Sequence, residues 1–118
     1  MTKWKNGSLL DKTTYSLNGL KSAFITENAV RRELYAMAAL VLLALIHETP
    51  TLKIFYVFLI CLFPIIVELI NTASETIIDL ILGATYREDV KMAKDMLSAA
   101  VMLSLFISYS ISMLLIFF

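Results

Sequence analysis

The amino-acid sequence predicts an all-α integral membrane protein with three transmembrane helices and an amphipathic surface helix before them. Hydrophobic residues make up 59% of the 118-residue chain, and its mean hydropathy is +0.80. A soluble domain of this size buries only about 60–70% of the surface that its unfolded chain exposes, so it could not hide this much apolar material from water. The apolar residues also fall into long runs with few charges, which indicates that lipid covers them.

Three apolar stretches are the predicted membrane spans, at 29–46, 54–82 and 91–118. The last is the clearest, because its final 23 residues carry no charge. As a helix they cover roughly 34 Å, more than a hydrocarbon core of about 30 Å. Pro50 marks the turn between the first two spans, and Gly83 is suited to end the second as a helix C-cap.

Residues 9–25 predict a surface helix rather than a fourth span. Apolar residues recur there at helical spacing, with Lys12, Ser16 and Lys21 between them. A helix of this kind lies in the lipid interface, and a soluble helix that packs on a partner is the alternative. With the three spans it makes residues 1–118 a single membrane domain.

The distribution of Lys and Arg residues predicts the orientation. The segment up to Arg32 carries six of them, the loop near 47–53 has only Lys53, and the segment 83–94 carries three. Because cytoplasmic loops are enriched in these residues, we expect the N-terminus and the second loop in the cytoplasm. The N-terminal segment lacks the apolar core and cleavage site of a signal peptide, so we expect the chain to keep it.

Charge and cysteine content exclude two classes of partner and site. The ten basic and ten acidic residues cancel, whereas a nucleic-acid partner calls for a strong basic excess. The single cysteine, Cys61, lies inside an apolar run. Neither an intrachain disulfide nor a cysteine metal cluster can form, and we expect an inert buried thiol.

The second span carries an acidic stripe. Glu68, Asn71, Glu75 and Asp79 are separated by three, four and four residues, which places them within roughly 80° of arc on one helix face. An ionisable residue at mid-membrane costs about 2.5–3.5 kcal/mol on the insertion scale, so several such groups need an offsetting role. The alternative is that these side chains only make polar contacts between helices. Carboxylates stabilise such contacts poorly unless a cation lies nearby.

The third span opens with a second polar face. Lys91, Lys94, Asp95 and Ser98 lie within roughly 100° of arc. Snorkelling of the lysines to lipid headgroups is the alternative to a phosphate site. Glu27 supplies another carboxylate at the start of the first span. An acidic residue that is there only because the helix dipole favours it is an equally good explanation.

These groups together favour phosphoryl transfer at the membrane surface. Mg²⁺ is typically bound by one or two carboxylates plus substrate phosphates, lysine can hold phosphates, and a carboxylate can accept the hydroxyl proton. The sequence contains neither GxxxxGK[ST] nor GxGxxG, so an ATP site here lacks the familiar phosphate loops. A small ion-conducting or transporter subunit and a non-catalytic assembly protein are the alternatives from other classes.

Three motifs carry a family resemblance. ELINTASETIID at 68–79 and AKDMLSAAV at 93–101 fit E-x-x-N-[ST]-A-x-E-x-x-x-D followed by A-K-D, and YSLNGLKSAFITENAVRRE at 15–33 fits Y-S-x-x-G-L…E…R-x-E. In these motifs the chain resembles the prokaryotic diacylglycerol kinase family, which also includes the undecaprenol kinases. The resemblance implies a homotrimer of three-helix subunits in the bacterial inner membrane, with MgATP as phosphoryl donor and active sites shared between subunits at the cytoplasmic interface.

The resemblance also implies a role for each matching side chain. Glu68 is implied as the general base, Glu27 and Glu75 as the Mg²⁺-binding pair, and Asn71 as polar support for that centre. The implied ATP contacts are Ser8, Tyr15, Tyr86, Arg87, Lys94 and Asp95. The implied lipid-side positions are Ser16, Glu33 and Ser98.

The chain departs from the family pattern at three places. Ser8 stands where the family's diacylglycerol kinases usually carry arginine, and Lys12 is the candidate substitute. Arg87 stands where histidine is common, and one extra residue separates Asp79 from Gly83. The ENAVRRE and KDMLSAAV segments resemble the diacylglycerol branch more closely. The expected reaction is therefore phosphorylation of diacylglycerol to phosphatidic acid, with undecaprenol or another lipid alcohol as the alternative substrate.

Overall fold

The chain forms four α-helices in the computed structural model, which describes residues 7–118. They are α1 (Leu9–Thr26), α2 (Asn28–Ile46), α3 (Thr51–Leu82) and α4 (Glu88–Phe117). No strand occurs between residues 7 and 118, so the all-α prediction is confirmed. The principal extents are 50 × 39 × 20 Å, and the longest corresponds to α3, whose 32 residues span about 48 Å.

Polar residues extend two helices beyond the predicted apolar spans. α3 begins at Thr51, directly after Pro50, rather than at residue 54. α4 begins at Glu88 rather than at residue 91, because Glu88 and Asp89 in its first turn interact favourably with the positive end of the helix dipole. Gly83 ends α3 with a φ of 62°, which glycine adopts readily, so the predicted C-cap is confirmed.

α1 begins with a capping box. The Ser8 hydroxyl accepts a hydrogen bond from the Asp11 N–H at 3.2 Å, and the Asp11 carboxylate accepts one from the Ser8 N–H at 3.2 Å. Two backbone donors that the helix itself cannot satisfy are thereby paired. Along α1, Leu17 and Leu20 stay exposed, which leaves this face of the helix free to contact lipid.

A one-residue elbow joins α1 to α2. Glu27 has extended backbone angles, φ −112° and ψ 114°, and serves at once as the C-cap of α1 and the N-cap of α2. Arg31 braces the elbow from the first turn of α2. Its guanidinium donates to the carbonyl oxygens of Phe24 at 2.6 Å and Ile25 at 2.8 Å. These carbonyls have no partner within α1, so Arg31 satisfies them from outside the helix.

Two of the four helices, α3 and α4, are long and apolar enough to cross a membrane by length and composition. Most of their residues lie on the outside of the chain, as a helix surrounded by lipid or by other subunits requires. α2 is not apolar enough over its whole length to meet these criteria. Its 19 residues include Arg31, Arg32 and Glu33 in the first turns. Its apolar part, from residue 34 to 46, is packed on α3.

α3 and α4 pack along a seam of serines on α4. Ser104, Ser108 and Ser112 recur every fourth residue and are at most 2% exposed. Small side chains let two helices approach closely where lipid gives no hydrophobic drive for association. Cys61 lies across the seam, with its Sγ 3.6 Å from the Ser112 Oγ, so the predicted buried free thiol is confirmed.

Pro64 interrupts the hydrogen bonding of α3, and α4 compensates. Proline has no N–H, so the carbonyl of Ile60, four residues earlier, loses its partner within the helix. The Ser108 hydroxyl donates to that carbonyl oxygen at 3.0 Å. α3 therefore continues unbroken past Pro64 to Leu82, with its freed carbonyl satisfied by the neighbouring helix.

Candidate functional site

The second half of α3 and the first half of α4 bring acidic and basic side chains together. The two helices are antiparallel, because only the short 83–87 connection joins them. Lys94 Nζ lies 2.7 Å from Asp79 Oδ1, and the charge of Glu75 also acts on this lysine. The acidic stripe of α3 thus faces the polar opening of α4.

Glu68 is the deepest carboxylate of the stripe. It is 7% exposed, and its Oε1 accepts a hydrogen bond from Asn71 Nδ2 at 3.5 Å, one turn along the same helix. The charges of Glu27 and Glu75 also act on it. A buried carboxylate with an amide beside it and two more carboxylates nearby can accept a proton from a bound hydroxyl.

Glu33 lies next to this group from α2. It is 6% exposed, and its charge interacts with that of Glu68, while the guanidinium of Arg32 partly offsets both. Glu33 Oε2 and Asn71 Oδ1 are buried without a hydrogen-bond partner. These two acceptors lie beside a buried carboxylate, and hydrogen-bond donors of a ligand can pair with them.

A cavity of about 700 Å³ opens where the α3–α4 connection folds over the two helices. It combines two lysines and two aspartates with backbone of the connection. Its lining residues are Asp79, Gly83, Ala84, Thr85, Tyr86, Arg87, Val90, Lys91, Lys94 and Asp95. Four of the implied ATP contacts, at 86, 87, 94 and 95, therefore share one cavity.

Ion pairs hold the polar side chains of this cavity. Lys91 Nζ lies 2.7 Å from Asp95 Oδ2, one turn apart on α4. The Arg87 guanidinium binds Asp89 through two hydrogen bonds of 3.1 and 2.9 Å. Since all four side chains are more than half exposed, these pairs are held weakly and can exchange for a stronger anion.

The connection also fixes Tyr86. Its hydroxyl donates to Glu88 Oε2 at 2.8 Å, two residues along the chain. This hydrogen bond to a carboxylate stabilises the protonated phenol and raises the pKa of Tyr86 above its usual value. At neutral pH Tyr86 is therefore a hydrogen-bond donor at the rim of the cavity.

A second groove, of about 560 Å³, runs between α1 and α3. Small and apolar side chains dominate its lining. The lining residues are Ser16, Gly19, Leu20, Ser22, Ala23, Thr26, Leu69, Thr72 and Ala73. Ser16 Oγ donates to the carbonyl of Lys12 at 3.0 Å, so its oxygen remains free to accept a further bond. A groove of this composition suits an apolar chain with a polar end.

The predicted site residues divide into two sets. The charges of Glu27 and Glu75 act on Glu68, and that of Glu75 also acts on Lys94, so these four side chains make up one electrostatically linked group. Asn71 and Glu33 adjoin this group at Glu68. Three predicted residues lie away from all of these side chains and outside both cavities. They are Ser8, whose hydroxyl caps α1, Tyr15, which is 37% exposed, and Ser98, which is exposed on α4.

Two side chains near the site make contacts that the sequence did not predict. Asp79 was placed on the acidic stripe, and its pairing with Lys94 follows from the same one-face spacing once α3 and α4 are antiparallel. Arg31 was noted only as a positive charge. The signal for its role at the elbow was its position one turn after Glu27, where it can reach back to the end of α1.

The donor set fits Mg²⁺ in combination with phosphate. Among residues 7–118 no group of three metal-ligating side chains comes together, so a complete protein cage is absent there. The charges of Glu27 and Glu75 both act on Glu68. Mg²⁺ is usually held by one or two carboxylates plus phosphate oxygens and water, so two carboxylates of this kind are the type and number of protein ligands that the ion uses.

Comparison with known proteins places this arrangement in context. Residues 14–117 match the family model described as "Prokaryotic diacylglycerol kinase". The chain is 37% identical over 97 residues to a diacylglycerol kinase of Haemophilus influenzae, covering 82% of this chain and 81% of that protein. Over 94 residues it is 34% identical to that of Escherichia coli K12, covering 80% and 76%. A diacylglycerol kinase of Synechocystis is 31% identical over 97 residues, covering 82% and 55%.

Proposed function

This chain belongs to the prokaryotic diacylglycerol kinase family, and we propose that it transfers the γ-phosphate of ATP to the hydroxyl of diacylglycerol, forming phosphatidic acid. One observation supports this most directly. The buried Glu68, the Glu27 and Glu75 carboxylates and the Lys94 ammonium form one group in a chain that matches the family over residues 14–117. Phosphoryl transfer to an alcohol needs a base for the hydroxyl proton, positive charge that neutralises the phosphates, and groups that hold the reacting atoms in line. This group contains the side chains for all three.

Glu68 is the proposed general base. Its carboxylate removes the proton from the lipid hydroxyl as the hydroxyl oxygen bonds to the γ-phosphorus. The bond between the γ-phosphorus and the β–γ bridging oxygen breaks at the same time, and ADP leaves. The Asn71 amide, 3.5 Å from Glu68 Oε1, orients the carboxylate, and burial keeps water from competing for the proton. The hydroxyl therefore has to reach Glu68 from the lipid side, next to Glu33.

Lys94 is the proposed clamp for the triphosphate. In the structure its ammonium is paired with Asp79 at 2.7 Å. The bound nucleotide carries more negative charge than one carboxylate, so it competes for the ammonium, and the lysine neutralises charge on the transferring group. The cavity around Lys94 and Asp95 has a volume of about 700 Å³, within the usual range of about 300–1,000 Å³ for ligand pockets.

Glu27 and Glu75 are the residues that would hold Mg²⁺. The ion, when bound, supplies positive charge that neutralises the β- and γ-phosphates. The two carboxylates come from the elbow and from α3 respectively, so the elbow places part of the site at the end of α1. This arrangement links the nucleotide to the helix that borders the lipid groove.

The lipid enters, in this proposal, along the α1–α3 groove. Its lining at Leu20, Leu69 and Ala73 is apolar, whereas Ser16 and Thr72 provide hydroxyls. The acyl chains remain in the bilayer, and the free hydroxyl is directed towards Glu68. Glu33, one of the two buried carboxylates, is the proposed acceptor of a hydrogen bond from the lipid headgroup.

The membrane arrangement that accompanies this function has three spans. We assign α2 to the membrane together with α3 and α4, because its apolar part packs on α3 and its charged residues lie at the end where the site is. The N-terminus, α1 and the α3–α4 connection lie on the cytoplasmic side of the bacterial inner membrane, where ATP is available. The chain assembles as a homotrimer with sites shared between neighbours, and residues 1–118 form a single domain.

Transfer of labelled phosphate tests the proposal. Purified protein in mixed micelles is given MgATP with diacylglycerol, undecaprenol or a long-chain alcohol in separate reactions. We expect label in phosphatidic acid above all other products. Preferential labelling of undecaprenol would replace the substrate assignment, and transfer to none of the three lipids would refute the kinase function.

A further inference from the structure

The pairing of the Ile60 carbonyl with Ser108 affects the position of Glu68, about two turns further along α3. We propose that Ser108 is a positioning residue for Glu68, which it aligns by holding the carbonyl that Pro64 leaves unpaired. This inference rests on the proposed function of Glu68 as the base. It concerns a residue on α4 that contacts neither nucleotide nor lipid in that mechanism.

The local geometry supplies the first step. Pro64 is an interior residue of α3, and its ring removes one N–H and crowds the carbonyl of Ile60. A helix usually bends at such a point, and a hydrogen bond from a neighbouring helix to the freed carbonyl restricts that bend. The Ser108 hydroxyl, 0% exposed, fixes it at 3.0 Å.

The position of Glu68 supplies the second step. It follows Pro64 by four residues, so both lie on the same face of α3 and both are buried. Any change of direction at Pro64 swings the segment that carries Glu68 against α2 and α4. The carboxylate has to meet the lipid hydroxyl within hydrogen-bond reach, and a misplacement of about 1 Å can lower the rate by about a hundredfold.

The chain offers a matched control for this hydroxyl. Ser104 is one turn from Ser108 on the same buried face of α4 and is 2% exposed. Its hydroxyl, however, donates to Val101 of its own helix at 2.7 Å. Serine-to-alanine substitution at either position removes the same atom from the same seam, but only Ser108→Ala releases a carbonyl of α3.

Four variants in mixed micelles make the test, with kcat, the KM for MgATP and the thermal unfolding temperature measured for each. They are Ser108→Ala, Ser104→Ala, Pro64→Ala and the double variant Pro64→Ala with Ser108→Ala. We expect Ser108→Ala to lower kcat by about tenfold or more with little change in the KM for MgATP. Ser104→Ala should leave kcat within about twofold of the wild type, because it frees no carbonyl of α3.

The Pro64→Ala variant tests whether the effect of Ser108→Ala depends on the proline. Alanine restores the N–H at position 64, so the Ile60 carbonyl regains a partner in its own helix and no longer requires Ser108. In this background Ser108→Ala should change kcat by at most about twofold and should no longer lower the unfolding temperature. A purely structural serine would instead lower stability equally in both backgrounds.

Several results would overturn the inference. Equal loss of kcat in Ser104→Ala and Ser108→Ala would show that the seam acts through packing alone, and an unchanged effect of Ser108→Ala in the Pro64→Ala background would break the link to the proline. If the wild type phosphorylates no lipid, the proposed function fails and the catalytic role of Ser108 fails with it. The unfolding temperatures of the four variants still decide, without turnover, whether Ser108 serves the carbonyl freed by Pro64.

Discussion

Replacing Glu68 by glutamine should stabilise the protein while removing most of its activity. The side chain is 7% exposed and lies within range of the charges of Glu27, Glu33 and Glu75, with Arg32 as the opposing charge. Glutamine has nearly the same shape and keeps an oxygen for the neighbouring amide. It carries no charge, so the repulsion within the carboxylate group decreases, but it cannot accept the hydroxyl proton.

The contacts give a magnitude for each effect. Glutamine at position 68 adds a hydrogen-bond donor to a region in which Glu33 Oε2 is buried without a partner. A hydrogen bond to a charged group contributes about 1.5–3 kcal/mol, so the free energy of unfolding should rise by about 1–3 kcal/mol. Loss of a general base lowers kcat by about 10²–10⁴-fold, which corresponds to about 2.7–5.4 kcal/mol of transition-state stabilisation.

Phosphorylation of diacylglycerol in mixed micelles and thermal unfolding in the same detergent measure the two effects. Glu33→Gln is the control, since it relieves the same repulsion from the other side while the proposed base remains. We expect it to stabilise the protein with a much smaller loss of kcat than Glu68→Gln. Should Glu68→Gln keep more than roughly a tenth of the wild-type kcat, the assignment of the base is wrong. A lower unfolding temperature would refute the electrostatic explanation.

Four further substitutions test other parts of the structure. Glu75→Gln should leave the oligomer intact by size-exclusion chromatography yet remove nearly all activity at every Mg²⁺ concentration; near-normal rates would disprove the metal assignment. Lys94→Met should raise the KM for MgATP by about ten- to a hundredfold, whereas Asp79→Asn should change it by at most about fivefold, since an exposed ion pair contributes only about 0–1 kcal/mol. Arg31→Gln should lower the free energy of unfolding by about 1–3 kcal/mol and speed proteolysis near residue 27; an unaltered cleavage rate would contradict the bracing role.

The one-face patterns were the part of the site that could be predicted from the sequence. Helical spacing alone put Glu68 and Glu75 on one side of α3, and Lys94 on the matching side of α4. The short 83–87 connection makes these helices antiparallel neighbours, and the ion pair of Lys94 with Asp79 shows that the two polar sides face each other. The all-helical fold and the C-cap at Gly83 followed from equally local signals.

Interactions between distant segments could not be predicted in this way. The bond from Ser108 to the Ile60 carbonyl joins residues 48 positions apart, and no local pattern indicates which serine of α4 will face a proline on α3. The capping role of Ser8 was missed for a different reason. Ser8 stands where the family usually has an arginine, and this position suggests a ligand contact. The signal for its capping role is the Ser-x-x-Asp spacing, which is that of a capping box.

The brevity of the elbow has a consequence for how insertions and deletions are tolerated. Only Glu27 separates α1 from α2. There is therefore no flexible loop at this junction that could accommodate an added or deleted residue. Each residue added to the end of α1 would rotate the helix by about 100° about its own axis. The Ser16 side would then turn away from Leu69 and Thr72, and the groove would lose one wall although no residue lining it had changed. Length at this junction is therefore as strictly constrained as amino-acid identity.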